Sequence, residues 1–108
     1  MINLRVSEAA AISIIEQAEY YRAEANDALV LRWESAVDEA VLSLQKQPER
    51  GARCRFRSTS LAGLRWIFIP GFSRHMLFYR YIPEQTAIVI VQVLHGAQDL
   101  ETVMDEGE

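Results

Sequence analysis

The sequence predicts an α+β domain: a short N-terminal strand, then an α-helical hairpin packed on a three- to four-stranded, mainly antiparallel sheet. Three observations carry this. Two successive stretches in the first half repeat apolar residues at helical spacing. Two alternating stretches in the second half are separated by Pro70-Gly71. A β-branched run, Ala87 to Leu94, follows the next turn.

Ile2 to Val6 alternates apolar and polar residues and reads as a strand. Ser7 is placed to cap a helix, with Glu8 near its positive end. Ala11, Ile14, Ile15, Ala18 and Tyr21 then form one apolar face. Asn26-Asp27 breaks the pattern. Leu29, Trp33, Ala36, Val37, Ala40, Val41 and Leu44 form a second stripe, which Pro48 closes. So short a break implies antiparallel helices. From Glu49 to Gly63 no periodicity survives, and the stretch reads as irregular. Leu64 to Ile69 is a strand. Arg74 to Tyr81 is another, with His75, Leu77, Tyr79 and Tyr81 on one face and Met76, Phe78 and Arg80 on the other. Ala87 to Leu94 suits a central strand buried on both faces. Asp99 reads as the cap of a last short helix over Leu100, Val103 and Met104. The order is β-α-α-β-β-β. Residues 1–104 read as one domain and residues 105–108 as an acidic tail.

The length of 108 residues suits one core. The longest purely apolar run, Ala87 to Val91, is far short of the ~20 residues of a membrane span. The N-terminus lacks a secretory signal pattern. A single cysteine, Cys54, makes no internal disulfide, so the expected home is the reducing cytoplasm. No Cys/His spacing suits a metal and no Gly-rich loop suits a phosphate, so neither metal nor other cofactor is expected.

The net charge of −4 hides a segregation. Residues 1–49 carry four basic and nine acidic side chains, residues 50–83 carry seven arginines and no acid, and residues 84–108 carry six acids and no Lys or Arg. Arginine suits bidentate contact with carboxylate or phosphate.

Several segments, in this order, resemble the ParE branch of the ParE/RelE toxin superfamily. They are S-E-A-A-A at 7–11, E-Q-A-E-Y-Y at 16–21, A-V-L-S-L-Q-K-Q-P-E-R-G at 40–51, G-L-R-W-I-F-I-P-G-F at 63–72, H-M-L-F-Y-R-Y at 75–81 and V-L-H-G-A-Q-D-L at 93–100. The resemblance covers nearly the whole chain. It implies the toxin of a type II toxin–antitoxin pair, of the kind used in plasmid or chromosomal maintenance and neutralised by a ParD-like antitoxin. It implies DNA gyrase as the target, inhibited by binding. The alternatives are a RelE-like ribonuclease that cuts mRNA without a metal, or a decayed toxin that keeps only antitoxin binding. Family members commonly carry Arg where this chain has Gln98.

On this reading the target-binding candidates are Arg57, Arg65, Arg80, His95 and Gln98. The antitoxin-binding candidates are Tyr20, Tyr21, Trp33, Arg65, Phe78 and Arg80. Core packing is the plainer role for Trp33, and a solvated basic loop is the plainer reading of the arginines. Were the chain a ribonuclease, Arg65, Arg80 and His95 are the first candidates, with Arg57, His75 and Tyr79 in reserve. Such chemistry needs a base, an acid and a cation around one phosphate. The acidic flanks and the single lysine, Lys46, weigh against long-range attraction to RNA.

Overall fold

A computed structural model describes residues 2–54 and 63–96. In chain order the elements are β1 (Asn3–Val6), α1 (Glu8–Glu24), α2 (Asp27–Lys46), β2 (Ala52–Arg53), β3 (Arg65–Ile69), β4 (Phe72–Ile82), a single 3-10 turn (Pro83–Gln85) and β5 (Ala87–His95). The five strands form one sheet in the order β1-β5-β4-β3-β2. β1 runs parallel to β5, and the other neighbours are antiparallel. The expected central strand is thus β5, with β1 at its outer side.

One strand exceeds expectation. β2 lies inside the stretch read as irregular, pairing Ala52 with Trp66 and Arg53 with Arg65. Two residues are too few for any periodicity to register. The expected closing helix over Leu100, Val103 and Met104 and the acidic tail lie outside the described residues.

Both helix starts follow from their caps. The Ser7 hydroxyl accepts from the Ala10 amide and donates to the Val91 carbonyl, which fixes α1 to β5 as it caps it. The Asn26 side chain accepts from the Leu29 amide and opens α2. α2 buries Val30, Trp33, Ala36, Val37, Ala40 and Leu44, nearly the expected stripe. α1 is turned from the expected face. It buries Ala10 and Ala18 with Ile14 and Tyr21 partly covered, while Ile15 is 57% exposed. Spacing alone left two overlapping faces, and packing against β5 selects the one centred on the small residues.

The hairpin covers Ile67, Ile69, Leu77, Tyr79, Ile88, Ile90 and Val93. Trp33 is fully buried among them, and its indole N–H donates to the Ile14 carbonyl at 3.1 Å. The other sheet face holds a second cluster of Leu64, Phe78 and Leu94, flanked by Trp66, Met76 and Val91. Between Phe78 and Tyr79 the β4–β5 register shifts, so that Val91 is an extra residue on β5. Beside this bulge the Gln92 carboxamide accepts from the Ser13 hydroxyl of α1 at 2.7 Å.

At the C-terminal end of α2 the chain is fastened by one phenol. The buried Tyr79 hydroxyl donates to the Pro48 carbonyl at 2.8 Å and accepts from the Gly51 amide at 2.9 Å. A Cβ at Gly51 would lie 2.6 Å from that oxygen, so only glycine fits. Arg65 braces the same turn, donating to the carbonyls of Glu49 and Gly51 at 3.0 and 2.9 Å.

Tyr79→Phe strands a buried amide and a carbonyl, so urea denaturation should show a loss of about 1–3 kcal/mol. Gly51→Ala should lose a similar amount by steric conflict, about 1–3 kcal/mol.

Candidate functional site

The fold places sequence-distant polar and aromatic side chains together at the hairpin tip. There β4 begins and β5 ends, and His75 sits directly opposite His95 in the antiparallel register. Residues so paired project from the same sheet face, here the helix face. Their ring centroids are 5.3 Å apart with planes at 88°. Tyr21, Trp33 and Phe72 pack around the His75 ring, Trp33 at 4.8 Å.

His75 is only 7% exposed, and neither ring nitrogen has a hydrogen-bond partner among the described residues. Burial, and after it the neighbouring His95, hold the His75 imidazole below its usual range. Burial raises the Tyr21 phenol, against a smaller opposing effect from its hydrogen bond with Gln17.

A cleft of about 530 Å³ opens over this pair, lined by Gln17, Tyr20, Tyr21, Phe72, Arg74 and His95 among others. An adjoining cleft of about 340 Å³ shares Gln17, Tyr20, His75 and His95 and adds Ser13 and Glu16. Tyr20 is 59% exposed at the rim. Gln17, Phe72 and Arg74 were not singled out from the sequence. Gln17 stands one helical turn before Tyr21, a spacing that could have flagged it.

The other candidates are dispersed. Trp33 and Phe78 are core residues on opposite faces of the sheet and offer a partner no surface. Tyr20 and Tyr21 stay together at the hairpin tip, with ring centroids 6.0 Å apart. Arg65 is the brace of the Glu49–Gly51 turn. Arg80 pairs in register with Val89 and projects from the face opposite Tyr79. Arg57 and Gln98 lie outside the described residues.

The ribonuclease candidates do not converge. His95 stands on the helix face beside His75, while Arg80 is five positions along β4 on the other face, roughly 17 Å away at strand rise. Tyr79 is spent on the turn, and burial raises its phenol, keeping it protonated. Burial likewise pushes the Cys54 thiol up to about 11, which disarms it as a nucleophile. Among the described residues, no helix is long and apolar enough to cross a membrane.

A small sheet backed by a helical hairpin thus carries two open clefts at the hairpin tip. The chain belongs to the ParE toxin family: the family model described as "ParE toxin of type II toxin-antitoxin system, parDE" matches residues 4–100. It is a type II toxin–antitoxin toxin of the ParE/RelE superfamily. Solved structures share the fold. A chain of the chromosomal ParDE system from P. aeruginosa superposes with a TM-score of 0.70 at 18% identity, covering 88% of this chain and 96% of that one. A chain of the RelBE2 toxin–antitoxin complex from Mycobacterium tuberculosis gives 0.61 at 22% identity, over 90% and 93%. One from the intact E. coli RelBE complex gives 0.55 at 13%, over 86% and 94%. No curated protein sequence matches the chain.

A histidine held neutral by burial binds fewer protons folded than unfolded once the pH falls below about 6.5. Its contribution is therefore intact above that pH and lost as pH falls toward the depressed folded value. The urea midpoint should drop between pH 7.5 and 5.5, and it should drop less in His75→Leu.

Proposed function

We propose that this toxin acts by binding DNA gyrase in the cytoplasm, stabilising the state in which DNA is cleaved, and that a ParD-like antitoxin neutralises it. The observation that carries this reading is where the charged and phenolic candidates for catalysis have gone. Arg65 and Tyr79 are committed to the Pro48–Gly51 turn, and Arg80 and His95 occupy opposite faces of the sheet. Among the described residues these candidates offer no single place where a base, an acid and a cation meet one phosphodiester. Binding needs no such convergence, only a higher affinity for one state of the target. The family match over residues 4–100 supports the same branch.

Tyr20 and Tyr21, exposed and half-buried at the hairpin tip, are the proposed antitoxin contacts. Arg80 is the proposed target contact among the candidate arginines, since Arg65 serves the fold. The ribonuclease reading draws on the likeness to RelBE chains and remains the alternative that the same experiment decides.

Expression without antitoxin should produce filaments and an SOS response, and purified toxin with gyrase and plasmid should yield protein-linked cleaved DNA. Rapid translation arrest with cut mRNA, and no gyrase–DNA adduct, would instead establish the ribonuclease.

A further inference from the structure

Arg53 of β2 and Arg65 of β3 are direct partners in the antiparallel register, so their side chains leave the same face of the sheet. Like charges placed opposite one another destabilise a sheet. Among the described residues no carboxylate offsets this pair, and the ion pair present there, Arg22 with Asp27, lies at the α1–α2 connection. Arg65 is also held in place. Its Nη1 donates to the carbonyls of Glu49 and Gly51, which leaves the Nη2 and Nε donors of the guanidinium unengaged by the described residues. Arg53 is exposed. A cleft of about 310 Å³ lies beside the pair, lined by Arg53, Arg65, Glu49, Leu64, Tyr81 and Pro83 among others. Glu49 is the acid of this lining, and it makes no ion pair with either arginine; its main-chain carbonyl is what Arg65 engages.

We propose that Arg53 and Arg65 form a carboxylate clamp for an acidic stretch of a partner protein, one Asp or Glu entering the cleft and its neighbour lying against Tyr81 and Pro83. A planar guanidinium fork matches a carboxylate, and the hydrogen bonds so made are charge-assisted. A fork already fixed by main-chain carbonyls loses little freedom on binding. One carboxylate between the two arginines also offsets their mutual repulsion, so relief of the conflict across β2 and β3 adds to affinity. The surroundings favour a peptide over nucleic acid. A nucleic-acid strand carries charge continuously along its length. Its further phosphates would meet Glu49 and the exposed Glu84, which follows Pro83. A carboxylate is a single charge, and it fits between the arginines without crossing those acids. The clamp does not depend on which target the toxin has, and Arg65 holds the turn with Nη1 whether or not it is occupied.

The test is titration of the full chain with the peptide acetyl-Leu-Glu-Asp-Glu-Leu-amide, with its uncharged counterpart acetyl-Leu-Gln-Asn-Gln-Leu-amide, and with a thymidine oligonucleotide. Calorimetry gives affinity, and the arginine Nε–H resonances are followed by NMR. Saturable one-to-one binding of the acidic peptide is expected, weakening as salt rises, with the resonances of Arg53 and Arg65 shifting together. The uncharged peptide should not bind. Arg53→Gln, which lies outside the turn contacts, should bind the acidic peptide about tenfold more weakly. Absence of saturable binding overturns the proposal, as does equal affinity in Arg53→Gln. Unmoved arginine resonances during saturation of the unmodified chain overturn it without recourse to any variant. Saturation of the same two arginines by the oligonucleotide and not by the peptide assigns the site to phosphodiester and overturns it as well. None of these outcomes bears on gyrase, which the DNA-cleavage assay decides separately.

Discussion

The buried indole of Trp33 is the constraint on which the rest of the structure depends. It sits on α2, donates its N–H to the Ile14 carbonyl of α1, and meets Phe72 and His75 of β4 edge-on or tilted. One side chain thus fixes the separation of the two helices and the position of their tip over the sheet. Its polar atom is satisfied without water, so its full aromatic surface contributes to the core. The cleft lies where the hairpin ends, with Tyr20 exposed at its rim and Tyr21 packed on Phe72 and His75.

The opposite end of the sheet is held by polar contacts. Tyr79 and Arg65 together satisfy the backbone groups of Pro48, Glu49 and Gly51 that the end of α2 leaves open. Arg50 likewise donates to the Ser43 hydroxyl, which itself donates to the Ala40 carbonyl. Two of the seven arginines between residues 50 and 83, Arg50 and Arg65, thus make polar contacts that hold this turn.

The sequence made some of this legible and concealed the rest for identifiable reasons. The caps at Ser7 and Asn26, the stripe of α2 and the doubly buried β5 were readable because each is local. The face of α1 was not, because Ala11 and Ile15 fit a helical period as well as Ala10 and Ile14 do. β2 escaped notice because its pairing with β3 is a tertiary fact. The burial of His75 was not legible because alternation fixes the face a side chain takes and says nothing of what covers it. Its meeting with His95 depends on the extra residue Val91, which shifts the β5 register by one, and no pattern in the chain announces a bulge. The same limit hid the role of Arg65, whose partners are main-chain carbonyls.

Taken together, these placements describe a toxin of the ParE family whose helical hairpin and end-of-helix turn are both fastened to one five-stranded sheet. The most direct measurement is an equilibrium binding isotherm between purified toxin and immobilised gyrase, repeated at rising salt. Saturable binding that weakens with salt, as an arginine-bearing surface requires, is the expected result. A preparation that ignores gyrase at every ionic strength yet degrades RNA would contradict the account.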